Sequence, residues 1–419
     1  MRKIYLKNFK GFSEACFELK DVNFLVGENS TGKTSILKLI NLLSSSEFWQ
    51  KFSFNNNEVE LGYFEEIMLK NATAKTFIIA TEFSFNKKQN KISILIVFEE
   101  KKGIPHIKLA KYTLLNKDIL LKFNAQEISY ATKAIQDYEF ESWVKDFDFV
   151  ANKLQKIRGI NSDTPFNIII SYIAGFEDIS DMGFWTEFDF AMISLYSHYK
   201  WLAPIRAKAK RIYENFNIKY SPEGEHIPVL LKNLLNNNAD SEELIETLEN
   251  FGKQSRLFDK IEVREFGTNK NAPFEINVLY DNLPMILPNV GYGVSQILPL
   301  IIEILSAEHH LFSIQQPEVH LHPKAQAAFG QFIFNAFKTN ENQFLIETHS
   351  DFTINRFRYA LLKEEKDNKP TAQVLFFERH KLGTTLTSIE INEKGEFVGE
   401  IPDSYHAFFI DEELKLLEL

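Results

Sequence analysis

"VNFLVGENSTGKTSILKLINLL" (Val22–Leu43) decides the fold. Val22 to Val26 form an apolar run that reads as a buried strand. Gly27 to Thr34 form a polar loop bounded by glycines, and "KTSILKLINLL" places apolar residues at helical spacing. Strand, G-x-x-x-x-G-K-T loop and helix, in that order, are both the pattern and the context of a phosphate-binding P-loop. Gly27 and Gly32 let the backbone curl until successive N–H groups, across Asn29, Ser30, Thr31 and on to Ser35, point at phosphate oxygens. The helix that follows adds the positive end of its dipole. Lys33 is expected to bridge the terminal phosphates and Thr34 to ligate Mg²⁺. A turn that binds nothing is the alternative, but these specified positions would arise by chance in such a chain about once in a hundred cases. Nucleotide binding is therefore the expectation.

The 419 residues, 44% of them hydrophobic, are ample for a large buried core. The opening "MRKIYLKNFKGF" alternates charged and apolar side chains, unlike a signal peptide, and no later run is long enough to span a bilayer. A cytoplasmic location is expected. A single cysteine, Cys16, excludes an internal disulfide and a cysteine-based metal cluster, and reads as a small apolar residue. The net charge of -10 excludes a surface that is basic all over, so any nucleic-acid contact must be local. The local candidate is "KWLAPIRAKAKRIYENFNIK" (Lys200–Lys219), where Lys200, Arg206, Lys208, Lys210, Arg211 and Lys219 face one acid, Glu214. It reads either as a solvated helix face or as a phosphate-binding surface for nucleic acid or a partner.

Along the chain, "RKIYLKNF" and "VNFLV" read as strands before the loop, and "TFIIATEFSF", "KISILIVFEE" and "HIKLAKYTLL" as an antiparallel sheet. Residues 1–124 thus form the first part of a nucleotide-binding core. Residues 125–198, aromatic-rich and of mixed charge, read as a helical insertion, and a further helical piece spans Ile227 to Leu257. Residues 199–419 complete the core. There "KIEVREF", "FEINVLY", "HLFSI", "QFLIE" and "QVLFFE" alternate with helices at Gly293–Ala307, from Ala325 and from Phe352, as in a parallel sheet with helices packed on it. The last residues read as a turn and a short helix. No stretch has the sustained heptads of a long coiled coil.

Three further stretches carry chemistry. "PNVGYGVSQILPLI" (Pro288–Ile301) sets glycines, Ser295 and Gln296 at the start of an apolar helix, which is either an N–H-rich ligand contact or a plain cap. "FLIETHSD" (Phe344–Asp351) ends a strand on Glu347, Thr348, His349 and Ser350. "LFSIQQPEVHLHP" (Leu311–Pro323) ends a strand on Gln315 and Gln316. His320 and His322 could suggest a metal, but no third ligand with metal-site spacing accompanies them.

In this order, "GENSTGKT", "GYGVSQ", "QQPEVHLHP" and "ETHSD" resemble the RecF/SMC/OLD-like branch of ABC-type ATPases, and within it the compact stand-alone AAA-labelled ATPases of bacterial phage-defence and abortive-infection operons, such as Septu and PARIS. The likeness covers nearly the whole chain, including "IYLKNFKGF", "WLAPIRAKAKRIY" and "HLHPKAQ". It implies an α/β fold: an ABC-ATPase-type P-loop core with a mixed-sheet lobe and a parallel-sheet lobe, a helical insertion and no long coiled coil. Gly27 to Thr34 would be the Walker A loop. Ser295 would belong to the signature that contacts the γ-phosphate held by a second subunit, and His349 would be the switch histidine. One Walker A loop and one signature imply a homodimer, or a pair with another ATPase chain, sandwiching two ATPs. Phe9 or Phe12 could stack on adenine or belong to the core.

The chain departs from that pattern where an acid should hold the Mg²⁺ shell, because Gln315 and Gln316 stand there. A neutral amide cannot compensate the metal's charge or accept a proton from attacking water. Glu347, ending a neighbouring strand, is expected to replace the missing acid in part. Glu318 either orients water or plays a structural role. The expected function is slow ATP hydrolysis with ATP-held dimerisation, controlling an effector, a nuclease by resemblance, in anti-phage defence. The alternatives are a RecF-like DNA-binding repair ATPase and an ATP-locked scaffold.

Overall fold

The chain opens with strands β1 (Lys3–Phe9), β2 (Phe12–Glu18) and β3 (Val22–Gly27), then helices α1 (Lys33–Leu43), α2 (Ser46–Lys51) and α3 (Phe64–Ile67). Next come β4 (Thr76–Phe85), β5 (Asn90–Lys101), β6 (Ile104–Leu114), β7 (Lys117–Phe123) and β8 (Ile128–Ala134), followed by α4 (Phe140–Trp143), β9 (Gln155–Ile157) and α5 (Phe166–Phe176). The later part has β10 (Tyr199–Leu202), α6 (Ile227–Asn236), α7 (Ser241–Ser255), β11 (Lys260–Glu265), β12 (Phe274–Tyr280) and β13 (Leu283–Ile286). It continues with α8 (Tyr292–Leu305), β14 (Leu311–Gln315), α9 (Pro323–Asn340), β15 (Gln343–Glu347), α10 (Asp351–Lys363), β16 (Ala372–His380), β17 (Gly383–Ile391) and β18 (Phe397–Val398). This computed structural model describes residues 3–85, 90–114, 117–124, 127–146, 154–157, 160, 164–176, 198–214, 219–236, 241–269, 271–365, 368–381 and 383–409.

The first unit comprises Met1–Leu19, Glu28–Tyr199 and Phe377–Thr387. Its sheet has eight strands in the order β2-β1-β4-β5-β6-β7-β8-β9, and its pairs are antiparallel. The strands from Thr76 to Leu114 follow the expectation, and β8 and β9 correct it. Ile128 to Ala131 are buried and pair with β7, so the region expected to be a helical insertion contributes strands before its short helices. Its mixed aromatic and charged composition has neither period clearly, and pairing with an existing sheet edge decides the outcome. Residues 177–197 of that expected insertion lie outside the described residues. The α4 segment is tied down by a buried Lys111, whose Nζ donates to the Trp143 and Asp146 carbonyls at 2.9 and 2.8 Å. Asp118 lies 3.6 Å from that ammonium and accepts from the Trp143 indole at 2.8 Å. Cys16 is a half-buried free thiol pushed up to about 11 by burial, as suits a small core-lining residue.

The second unit comprises Lys20–Gly27, Lys200–Phe376 and Ser388–Leu419. A seven-stranded sheet runs in the order β10-β14-β15-β3-β16-β17-β18, with β14, β15 and β3 parallel. β3 is buried along its whole length, which explains its unbroken apolar run. The exception is Asn23, fully buried, whose amide donates to the Lys20 and Phe344 carbonyls and accepts from Lys20 N and Gln373 Nε2. Apolar faces of α8, α9 and α10 supply Ile297, Ile301, Phe329, Ile333 and Phe357 to the core against Phe24, Phe312 and Ile346. β11, β12 and β13 form a separate antiparallel sheet rather than joining the parallel one. β11 explains why, since its buried and exposed residues alternate as in a strand with one wet face.

Among the described residues the longest helix is the 18-residue α9, so none forms a long coiled coil, and none is long and apolar enough to cross a membrane.

Helix α8 is anchored by Glu303, which is buried and accepts from Lys200 Nζ on β10 at 2.5 Å and from His226 Nε2 at 2.7 Å. The Nδ1 of His226 accepts from Ser221 N, which fixes the tautomer that donates to Glu303. Burial alone would raise the Glu303 carboxyl, but the bonds from His226 and Lys200 bring it below the usual glutamate range. A folded-state value below the unfolded one gives stability that is complete above about pH 4.3 and is lost as the pH falls through the folded value. Glu303→Gln should therefore flatten the acid limb of stability below about pH 4.3 in urea titrations across pH. An unchanged limb would contradict this pairing.

Candidate functional site

The loop after β3 is held open by three left-handed or near-left-handed residues: Gly27 at φ 146°, Ser30 at φ 63° and Gly32 at φ 98°. A Cβ on Gly32 would stand 2.8 Å from the Phe12 ring, so the conformation and the space both require glycine. Gly32, in the left-handed conformation, is the N-cap of α1. Glu28, Asn29 and Ser30 are exposed, while Thr31 and Lys33 are buried and both donate to the Glu28 carbonyl, at 2.8 and 2.7 Å. Thr34 and Ser35 follow in the first turn of α1. N–H groups at a helix start, an ammonium and two hydroxyls are the donor set that a polyphosphate needs. Phe9 and Phe12 are fully buried, packed on Phe77 and Phe377, and so belong to the core rather than to an adenine platform.

In the second unit, three strand ends lie level. Gln315 of β14 pairs with Glu347 of β15, and Glu347 pairs with Leu25 of β3, two residues before the chain enters the loop at Gly27. The Gln316 N–H donates to the Glu347 carbonyl at 2.8 Å, and Thr348 N–H to that of Leu25 at 3.1 Å. In open α/β sheets ligands bind outside the carboxyl ends of such strands. Glu347 is buried there, next in line to the amide side chain of Gln315.

Glu318 faces the same turn, but its oxygens are committed. Oε2 accepts from the Thr348 hydroxyl at 2.9 Å and Oε1 from the His349 N–H at 2.7 Å. Burial pushes its carboxyl up, opposed by these bonds and by the charge of Arg206. These are the contacts of a carboxylate that shapes the Thr348–Ser350 turn. Ser350 then caps α10 by accepting from Thr353 N, and donates to Gln326 Oε1 at 2.7 Å. The His349 ring lies 5.9 Å from that of Phe408.

The segment from Ala203 to Lys210 is extended, not helical, and it divides the basic run. Lys208, Lys210 and Arg211 are exposed, whereas Arg206 is 4% exposed and Lys200 is bound to Glu303. Arg206 is therefore no part of a surface patch. Its Nη1 donates to the Pro204 carbonyl at 3.0 Å and its Nη2 to that of Gln315 at 3.4 Å. Composition could not reveal this, since burial of one cation within a charged run depends on the tertiary fold. Ser295 is buried and donates to the Tyr292 carbonyl at 2.8 Å, and it lines a cavity of about 640 Å³ with Ala207, Tyr213 and Leu298. Tyr292 packs edge-on against His320 at 4.6 Å, and His322 Nδ1 accepts from Ala325 N to cap α9. Both histidines thus have local structural contacts.

Among the described residues no group of three or more His, Cys, Asp and Glu could hold a metal. An oxygen donor such as the Thr34 hydroxyl suits Mg²⁺, which usually keeps several waters and phosphate oxygens among its ligands.

No curated protein sequence matches the chain. Solved SMC heads resemble it at low similarity. The SMC head bound to the C-terminal winged-helix domain of ScpA is 11% identical with TM-score 0.45, covering 94% of this chain and 98% of that one. The SMC head domain from Thermotoga maritima is 13% identical with TM-score 0.41, covering 93% and 99%. An SMC head with an extended coiled coil, bound to a ScpA C-terminal domain derived from Pyrococcus furiosus, is 11% identical with TM-score 0.43, covering 99% of each. The family model described as an AAA ATPase domain matches residues 1–178 and 195–354, across the phosphate loop, the level strand ends and the turn that Glu318 holds. The chain belongs to that AAA ATPase domain family.

Proposed function

We propose that this chain is an ATP-binding, slowly hydrolysing ATPase of ABC type that dimerises around ATP. The observation that carries the reading is the level pairing of Gln315, Glu347 and Leu25, which puts a buried carboxylate at the strand end beside the one that feeds the phosphate loop. Lys33 neutralises the terminal phosphates. Thr34 would hold the Mg²⁺, which would screen phosphate charge. Glu347 supplies the negative charge that Gln315 lacks, and Gln316 orients water without accepting its proton. Turnover is slow for that reason, since a general base is worth about 10²–10⁴ in rate. His349, held by its own N–H, senses the γ-phosphate.

The dimer and the partner rest on the sequence resemblance. A signature around Ser295 and one phosphate loop per chain favour a head-to-tail homodimer. The resemblance to defence-operon ATPases favours an effector, of nuclease type, as the protein whose activity the nucleotide state controls. A second reading, DNA binding as in RecF-like repair ATPases, is favoured by the exposure of Lys208, Lys210 and Arg211 on an extended segment.

Phosphate release by the wild-type chain should be slow. Lys33→Ala should weaken ATP binding, and Glu347→Gln should lower turnover at least about tenfold while retaining ATP and raising the dimer fraction in sedimentation with ATP. Rapid turnover that Glu347→Gln leaves unchanged would defeat the assignment of Glu347. For the DNA reading, duplex affinity should fall steeply with salt and weaken when Lys208, Lys210 and Arg211 are reversed to Glu. Affinity indifferent to those three charges would reject it.

A further inference from the structure

We propose that Arg206 is a positioning residue of the ATPase site, joining the signature segment to the loop that carries Glu318 and, through Glu318, to the Thr348–His349 turn. The chain of contacts lies within one unit. Arg206 is buried, and its guanidinium donates to the carbonyl of Gln315 at the end of β14. Its backbone N–H donates to Gln296 Oε1 at 3.4 Å on the first turns of α8. The Gln315 carbonyl that it holds stands three residues before Glu318, at the start of the same loop. Glu318 passes the constraint on, because its oxygens hold the Thr348 hydroxyl and the His349 N–H.

Burying a guanidinium costs several kcal/mol unless charge and hydrogen bonds offset it; the Pro204 and Gln315 carbonyls supply the bonds, and the charge of Glu318 opposes the effect of burial. Removing Arg206 therefore takes one donor from the Gln315 carbonyl, at the start of the loop that carries Glu318. The loop should relax, and the turn bearing His349 with it. Burial lowers the guanidinium to about 10, partly restored by Glu318 and Tyr292, so it is charged at neutral pH. A lysine could supply the charge but not the planar pair of bonds to Pro204 and Gln315.

The test uses the full chain with Arg206→Gln, Arg206→Lys, Glu318→Gln and the Arg206→Gln/Glu318→Gln double variant, followed by hydrogen exchange. In Arg206→Gln, peptides containing the Gln316 and His349 amides should exchange at least about tenfold faster, while those from α9 and from β4 to β6 keep wild-type rates. Arg206→Lys should recover part of the protection. The kinetic arm rests on the ATPase reading. There kcat should fall at least about tenfold with KM for ATP within about twofold, and the double variant should lose little more than either single one. Unchanged exchange at Gln316 and His349, or uniform acceleration across the chain, would overturn the proposal, as would additive losses in the double variant. If Arg206→Gln does not fold, Arg206→Lys and Glu318→Gln decide by the same amides. If the wild type releases no phosphate, the ATPase reading fails, and the exchange arm still decides the role of Arg206.

Discussion

Parallel strand pairing fixes the height at which each chain segment leaves the sheet, and here it sets Gln315, Glu347 and Leu25 on one line. The turns that follow these residues inherit that line. Gln316 bonds back to Glu347 and Thr348 to Leu25, so each turn starts from its neighbour's carbonyl. The Glu347 carboxylate thus ends its strand level with the Gln315 amide on the next. A slip of one residue in the register would point the Glu347 side chain to the other face.

Local pattern carried the P-loop, because glycine at a left-handed position and a lysine at a helix start are demands of the backbone itself. It also carried β4 to β6 and helices α8 to α10, whose periods are strong. It could not carry Arg206, which sits among exposed lysines and differs from them only in what folds over it. Nor could it show that Glu318 is occupied by the Thr348 hydroxyl and the His349 N–H, a contact between residues thirty or more apart in the chain. The strand β8 was hidden for a related reason: its four buried residues are followed by exposed ones, and pairing with β7 rather than intrinsic period defines it.

Several buried polar groups in the two units bind neighbouring segments, through backbone and side-chain atoms alike. Asn23 ties β3 to Phe344 and Gln373, and Lys111 collects the carbonyls that end α4. Each satisfies what a buried amide or ammonium would otherwise lack, and each specifies one arrangement of its neighbours more sharply than an apolar residue would. Glu303 does the same for α8, linking the helix that carries Ser295 to β10 and to the turn before α6.

The Phe12 ring beneath Gly32 has a further meaning. The ring fills the space that a side chain at position 32 would need, so a residue that looks like ordinary hydrophobic filling helps to keep that position glycine. β2 thus carries a constraint on the loop between β3 and α1 that has nothing to do with how tightly the sheet itself is packed.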